Sequence, residues 1–343
     1  MRIAIDVMGG DNAPDAILAG ALDAAELIGP SDTIVLVGDG QVIRRTLQQR
    51  GLADDRRFEI EPTTEVIGMD EPPVTAVRGK PDSSIVRMTQ LASRRAGDRR
   101  CDVVLSAGNT GAFVAASTMS VRRLPGVHRP GIAVTLPTFA GPVILCDVGA
   151  NTEPRPPHLH QYGHMAAVYA SRVTGIDDPK VALMSIGAEE TKGSQLVKEA
   201  NRLMRADKRL NYVGYVEGRE LFAGKANVVV CEGFTGNVIL KLAEGLSEGL
   251  FRTIARELMD TDPALAKRFE PVVRSIYARH DYHEYGGAPL LGANSICIIS
   301  HGSSEARTIT AAVRTAINFA RHEVNAGIVE ALDKLKPVEE GAA

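Results

Sequence analysis

Aromatic residues are scarce in this chain of 343 residues: they make up 4% of it, and tryptophan is absent. Proteins that bind single-stranded nucleic acids stack the bases on aromatic side chains, so the composition disfavours that class of protein. The formal net charge of −3 gives no electrostatic reason to expect a polyanionic partner either. We therefore expect no nucleic-acid partner.

Cysteines are few and far apart in the sequence. No two of them have the spacing of a zinc site, and each lies in or beside an apolar segment, where cysteine behaves as a small hydrophobic residue. They are Cys101, Cys146, Cys231 and Cys297. This usage fits a reducing compartment and predicts no disulfide framework.

Long hydrophobic runs are also missing. No segment approaches the roughly 20 apolar residues of a membrane span, and the opening residues 1–7 turn polar too early for a signal peptide. We expect a cytoplasmic protein.

Three common active-site signatures are absent as well. No dinucleotide fingerprint follows the first apolar strand, no P-loop is present, and no nucleophile elbow of the GxSxG type occurs. Their absence favours a small anion over a nucleotide as the ligand.

What the sequence does contain is a regular alternation of apolar strands and helical segments. Most strands are continuous Val, Ile and Leu runs, which are typical of strands covered on both faces. They are predicted at 2–7, 33–37, 57–61, 103–106, 132–136, 143–147, 180–185, 212–216, 228–231 and 296–299. The pattern predicts one α/β domain over residues 1–332 with a mainly parallel sheet. We expect residues 333–343 to be a disordered tail.

Six glycine-rich turns follow these strands, at 6–11, 106–111, 147–151, 232–237, 285–292 and 301–304. Glycine lets a backbone turn sharply and approach a ligand closely, and a following helix offers free N–H groups and the positive end of its dipole. Ligands of parallel sheets gather beyond the carboxyl ends of the strands. We therefore expect the turns to form an anion site at one edge of the sheet, most simply for phosphate.

The candidate phosphate- or substrate-binding residues come from these turns. They are Gly9, Gly10, Ser106, Gly108, Asn109, Thr110, Asp147, Gly149, Asn151, Gly236, Gly286 and Gly287. Two roles stay open for Ser106: a nucleophile, or a loop hydroxyl that binds an anion or caps the next helix. Asp6 and Asp147 either hold loop amides, bind a metal ion or act as a base.

Two candidate cations lie close to the turns. Lys192 follows the strand at 180–185, and His301 directly follows the strand at 296–299. Either is suited to an anion, although a solvated lysine and a packed loop histidine are the plain alternatives. His158, His160 and His164 have near-helical spacing, but no carboxylate stands clearly in register with them, so we expect no metal site.

Residues from about 238 to 283 break the alternation. Apolar residues recur there at helical spacing on either side of Asp262-Pro263, which predicts a helical hairpin decorated with arginines. Such a hairpin is compatible with a membrane surface, and also with a dimer or core face.

Taken together, the segments 5–14, 106–112, 147–151, 185–193, 233–237, 284–292 and 301–304 stand in the order and spacing of one family. The chain resembles the PlsX family, the acyl-acyl carrier protein:phosphate acyltransferases of bacterial phospholipid synthesis, from residue 1 to about residue 325. It departs modestly from that family: Pro154 stands where members often have a cysteine, and Glu232 replaces an aspartate.

The resemblance implies a three-layer Rossmann-like fold of the isopropylmalate dehydrogenase and phosphotransacetylase kind. It implies that inorganic phosphate attacks the thioester of a long-chain acyl-acyl carrier protein, without a cofactor. It further implies a homodimer that associates peripherally with the membrane and passes acyl phosphate to a membrane glycerol-phosphate acyltransferase.

We expect phosphate on the turns 106–111 and 147–151. Lys192, Asn237 or His301 would then face the thioester oxygen, and Asp6 would organise the backbone or assist deprotonation. Two alternatives stay open: an NAD-dependent β-decarboxylating dehydrogenase on the same fold, and a non-catalytic sensor of acyl groups or phosphate.

Overall fold

The computed structural model describes residues 1–280 and 286–335. Its strands are β1 (Arg2–Asp6), β2 (Thr33–Gly38), β3 (Phe58–Pro62), β4 (Val103–Ser106), β5 (Gly131–Leu136), β6 (Val143–Cys146), β7 (Val181–Met184), β8 (Tyr212–Val216), β9 (Val228–Val230), β10 (Ala288–Leu291) and β11 (Ile296–Ile299). The ten predicted strands are all present, to within one residue at either end.

The α-helices are α1 (Asp15–Asp23), α2 (Gly40–Gln49), α3 (Pro73–Gly79), α4 (Ser84–Ala92), α5 (Thr110–Ser120), α6 (Pro156–Thr174), α7 (Gln195–Ala206), α8 (Gly233–Thr261), α9 (Pro263–His280), α10 (Ala306–Arg321) and α11 (Val324–Asp333). The predicted tail was expected to start at residue 333, but this residue is the last one of helix α11. Residues 336–343 of the tail lie outside the described part of the chain.

Alternate side chains of β1 show why the fold has three layers. Ile3 and Ile5 belong to a buried cluster with residues of α1 and α10, whereas Ala4 belongs to another with residues of α4 and α5. Successive side chains of a strand point to opposite faces of its sheet. Helices therefore cover both faces, as the continuous apolar runs predicted.

All eleven strands form one sheet, in the order β3-β2-β1-β4-β11-β10-β5-β6-β9-β7-β8. The first five are mutually parallel and form the first group; β6, β9, β7 and β8 are also mutually parallel and form the second group. Between them, β10 is antiparallel to β11 and β5, and β5 is antiparallel to β6. The two groups thus run in opposite directions.

This reversal corrects the expectation that all the turns meet at one edge of the sheet. Strands that run in opposite directions have their carboxyl ends at opposite edges. Turns of the first group and turns of the second group therefore approach a ligand across the face of β10 and β5. The sequence analysis missed β10 because its four residues lie inside the glycine-rich segment 285–292.

The predicted hairpin is α8 and α9, joined at Asp262. Helix α8 begins at Gly233, five residues earlier than expected, because the Glu232 carboxylate accepts the backbone N–H of Thr235 at 2.8 Å and caps it. Residues 281–283 of the predicted hairpin lie outside the described residues.

Candidate active site

A cavity of about 470 Å³ lies over the middle strands β5, β10 and β11. The first group of strands contributes polar residues to its wall through the segments that follow β1, β4 and β11, and the second group does so through the turn after β6 and the start of α8. Its lining includes Thr110, Gly149, Asn237, Lys241, Glu244, Gly287, Ser300 and His301. Its apolar wall includes Ile132, Val134, Val148 and Leu240.

The turns of the first group are fastened behind this wall by Asp6. The Ser106 hydroxyl donates to Asp6 Oδ2 at 2.7 Å, and the Gly108 N–H donates to that hydroxyl at 2.9 Å. Asp6 has no exposed surface, and burial raises the pKa of its carboxyl. These contacts hold the loop after β4, and neither Asp6 nor Ser106 borders the cavity.

Asp147 fastens the turn of the second group in the same manner. Its carboxylate accepts the backbone N–H groups of Ile132, Ala150 and Asn151, at 3.0, 3.1 and 2.7 Å, and the Asn151 side-chain amide at 3.1 Å. Burial nonetheless outweighs these donors and raises the pKa of Asp147 to about 6.

Gly236 lets α8 approach this turn. A Cβ at position 236 would lie 1.9 Å from the carbonyl oxygen of Asp147, so no side chain fits there. The close approach sets the next residue, Asn237, beside Gly149, whose φ of +102° favours glycine. Lys241 and Glu244 follow on the same side of α8, at positions four and seven after Asn237.

Asn109 positions the amino end of α5. Its Oδ1 accepts the Ala112 N–H at 3.0 Å, and its Nδ2 donates to the carbonyl groups of Gly68, Met69 and Glu71 at 3.2, 3.0 and 3.0 Å. Thr110 and the first turn of α5 border the cavity as a result, and they bring the positive end of the helix dipole to it.

Two side chains with nitrogen atoms, a lysine and a histidine, lie close together in the wall of the cavity. Lys241 Nζ lies 3.5 Å from His301 Nε2. His301 Nδ1 lies 2.8 Å from the Ser303 hydroxyl and 3.3 Å from the backbone N–H of Ser303; when Nδ1 accepts from them, the proton of a neutral imidazole is on Nε2. Two donors that face each other in this way suit an oxygen anion that accepts from both.

Ser300 adds a third polar group that the sequence analysis did not single out. It is 3% exposed and borders the cavity, and its hydroxyl has no hydrogen-bond partner among the described residues. Buried polar groups are nearly always paired, so this unpaired hydroxyl beside the cavity is an exception. Glu244 also borders the cavity, and burial raises the pKa of its carboxyl.

The structure thus divides the predicted residues into two sets. Thr110, Gly149, Asn237, Gly287 and His301 border the cavity. Residues of the second set build the turns behind it: Asp6, Gly9, Gly10, Ser106, Gly108, Asn109, Asp147, Asn151, Gly236 and Gly286. Lys192 does neither, because it is exposed in the turn after β7 and outside the cavity wall. Lys241, which was not among the predicted residues, borders the cavity, and its spacing from Asn237 on one helix face was the signal available in the sequence.

Within residues 1–280 and 286–335, one group of side chains has the donors of a metal site: His160, His164 and Asp207. Asp207 supplies the carboxylate that the histidine spacing lacked. The group lies on α6 and after α7, and none of its members borders the cavity.

A sequence model of the family described as "Fatty acid synthesis protein" matches residues 1–327. The chain belongs to this family. Its membership confirms the resemblance drawn from the glycine-rich turns.

Two relatives from other bacteria match this chain over their full length. The phosphate acyltransferase of Heliobacterium modesticaldum is 45% identical over 98% of this chain and 100% of its own. That of Desulforamulus reducens is 45% identical over 99% of this chain and 100% of its own.

Solved structures confirm the fold. A phosphotransacetylase from Streptococcus pyogenes superposes with a TM-score of 0.61 at 17% identity, over 97% of this chain and 94% of that one. A 4-hydroxythreonine-4-phosphate dehydrogenase from Klebsiella pneumoniae gives 0.53 at 16% identity, over 93% and 98%.

Proposed function

We propose that this protein transfers a long-chain acyl group from acyl-acyl carrier protein to inorganic phosphate, giving acyl phosphate for phospholipid synthesis. The observation that carries the proposal is one cavity in which anion-binding groups meet an apolar wall. Thr110, Lys241 and His301 stand at its polar side, and Ile132, Val134 and Leu240 at its apolar side. The names of the relatives support the reaction type.

In the proposed reaction a phosphate oxygen attacks the carbonyl carbon of the thioester. A C–O bond forms, the C–S bond breaks, and the sulfur leaves with the electron pair as a thiolate that takes up a proton. Phosphate is itself the nucleophile, so the chain needs no nucleophilic side chain. Its task is to orient phosphate and to stabilise the charge that develops on the thioester oxygen.

The geometry suggests how these tasks are divided. The amino end of α5 and the Gly149 turn hold the phosphate, with the Ser300 hydroxyl as a further donor. Lys241 and the Nε2–H of His301 face the thioester oxygen, and Asn237 stands beside Gly149. Lys241 therefore takes the role that the sequence analysis gave to Lys192. The apolar wall receives the first part of the acyl chain, with about 0.8 kcal/mol for each methylene group that it buries.

A second cavity of about 800 Å³ suggests where the carrier protein docks. We call it the arginine basin, since Arg87, Arg94, Arg95, Arg99, Arg122 and Arg123 line it. Glu61 binds Arg87 and Arg99 there, which leaves the basin strongly basic. A partner that binds must bring negative charge, and a carrier protein with an acidic surface fits.

Helix α5 connects the two cavities. Its amino end borders the cavity over β5, β10 and β11, which we call the acyl cavity, and its carboxyl end, at Met119 and Ser120, borders the arginine basin. Eleven residues span about 16 Å. If a carrier protein docks at the basin and holds its acyl group on a flexible arm, that arm can follow α5 and place the acyl group in the acyl cavity.

The α8–α9 hairpin is the proposed membrane contact. Leu242, Leu246 and Leu250 recur every four residues along α8 and are more than half exposed, at 67%, 68% and 56%. Arg252 and Arg256 stand among the exposed residues of the same helix. No helix in the described part of the chain is long and apolar enough to cross a membrane. A peripheral contact would bring the product near a membrane glycerol-phosphate acyltransferase, and a second copy of the chain is the other candidate cover for this face.

The decisive experiment incubates the purified full chain with palmitoyl-acyl carrier protein and labelled phosphate. We expect labelled acyl phosphate, with a KM for the carrier substrate that rises with ionic strength, because salt screens the arginine basin. Binding of both substrates without turnover would make the protein a sensor. Metal-dependent reduction of NAD with a 2-hydroxy acid would make it a dehydrogenase.

A further inference from the structure

Three side chains outside the proposed active site converge on one point. His160 and His164 stand one turn apart on α6, and Asp207 follows α7. The Nε2 atoms of the two histidines lie 3.0 and 2.9 Å from the same oxygen, Asp207 Oδ2. All three side chains are less than 10% exposed.

We propose that His160, His164 and Asp207 bind a divalent transition-metal ion, with zinc as the best fit. Zinc takes imidazole nitrogen and carboxylate oxygen at about 2.0–2.2 Å and is usually tetrahedral. Ligands of a tetrahedral site with such bonds stand about 3.3 Å apart. The two histidine–carboxylate separations need to open by only a few tenths of an ångström, the three ligand atoms all lie within 4.8 Å of one another, and a water molecule completes the set.

Arg209 explains how the same residues remain paired without a metal ion. Its Nε donates to Asp207 Oδ1 at 2.7 Å and its Nη2 donates to Asp207 Oδ2 at 2.9 Å. The guanidinium thus neutralises the carboxylate, while 44% of the Arg209 side chain is exposed. Arg209 also donates to the carbonyl oxygen of Lys334, so it keeps a partner when a doubly charged ion takes Oδ2, and metal and arginine compete for Asp207.

The expected role of the metal is structural. The ion would join α6 to the segment between α7 and β8, two parts of the chain more than 40 residues apart. Since none of the three ligands borders the acyl cavity, metal binding is expected to change stability rather than turnover.

Calorimetric titration of the chelator-treated full chain with ZnCl2 tests the proposal, together with the visible spectrum after CoCl2 addition. We expect one ion per chain, the intense visible bands of tetrahedral cobalt, and a raised Tm. H164Q should weaken zinc binding at least tenfold, and R209Q should strengthen it. H322Q removes an exposed histidine and should behave as wild type.

Zinc affinity equal in H164Q and wild type would overturn the proposal, as would weaker binding in R209Q. If H164Q fails to fold, the cobalt spectrum of the wild type decides, because a spectrum of hexaaquo cobalt alone means that the cluster is only a hydrogen-bonded network.

Discussion

Lys241 Nζ lies 3.5 Å from His301 Nε2, although 60 residues separate the two in the chain. Two independent features bring them together. Helix α8 is fastened to the Asp147 turn through Gly236, and His301 directly follows β11, the innermost strand of the first group. The pair therefore bridges the two oppositely directed groups of strands.

Lys241→Ala should lower kcat by about 100- to 1000-fold, because it removes a charged donor from the position of the developing oxyanion. The measurement is acyl phosphate formation under saturating phosphate and palmitoyl-acyl carrier protein. Lys192→Ala is the matched control, since it removes the same charge outside the cavity, and it should keep near wild-type turnover. The reverse ranking of the two variants would return the role to Lys192.

Ser300→Ala should raise the KM for phosphate about three- to tenfold, the cost of one ordinary hydrogen bond. Stability should not fall, because the hydroxyl has no partner to lose among the described residues. Initial rates over a range of phosphate concentrations and urea unfolding measure the two effects. A destabilised variant with unchanged KM would make Ser300 a structural residue.

The strands could be predicted from the sequence because continuous Val, Ile and Leu runs leave little choice when both faces of a sheet are covered. Strand direction could not, because β10 lies within a glycine-rich segment, and three successive antiparallel pairings, β11–β10, β10–β5 and β5–β6, reverse the second group. Without that reversal, all the turns would share one edge.

The sequence also did not reveal which residues of the turns face the cavity. Glycine, Ser and Asn at strand ends marked the turns, yet most of those residues build the loops from behind. Ser106, Asn109 and Asp147 use their polar atoms on neighbouring backbone groups. Which polar residues face the cavity depends on how α8 packs, and that depends on the contact between Gly236 and Asp147.

Gly236→Ala should destabilise the fold by at least about 2 kcal/mol, since its Cβ would lie 1.9 Å from the Asp147 carbonyl oxygen and backbone must move. It should also lower turnover, because α8 carries Asn237 and Lys241. Gly245→Ala on the same helix has no atom within 4 Å of the added methyl group, and it should stabilise by about 0.5–1 kcal/mol. Equal urea midpoints for the two variants would contradict the packing argument.

Asp147→Asn should destabilise the fold. In the wild type, backbone N–H groups donate to the carboxylate, whereas in the variant some of them would face the N–H groups of an amide and lose their acceptor. The pKa of Asp147 is raised to about 6 by burial, against an ordinary value of 3.8. Between these values the folded state binds the proton more tightly, so the wild type gains stability from this group as pH falls.

The difference in unfolding free energy between wild type and Asp147→Asn should therefore widen by about 2 kcal/mol from pH 7 to pH 4.5. Urea unfolding of both proteins across that range measures it, and groups common to the two cancel. A difference that narrows on acidification would mean that the four donors outweigh burial.

Leu250→Glu should reduce binding to vesicles of anionic lipids, because it puts a charge into the exposed apolar stripe of α8. Co-sedimentation with liposomes measures the effect. Ala255→Glu is the matched control: position 255 is exposed and lies nine residues, or two and a half turns, from Leu246, so it is on the opposite side of the helix. It adds the same charge and should bind as wild type. If both variants sediment like the wild type while Leu250→Glu alone changes from dimer to monomer, the stripe is a contact between two copies of the chain.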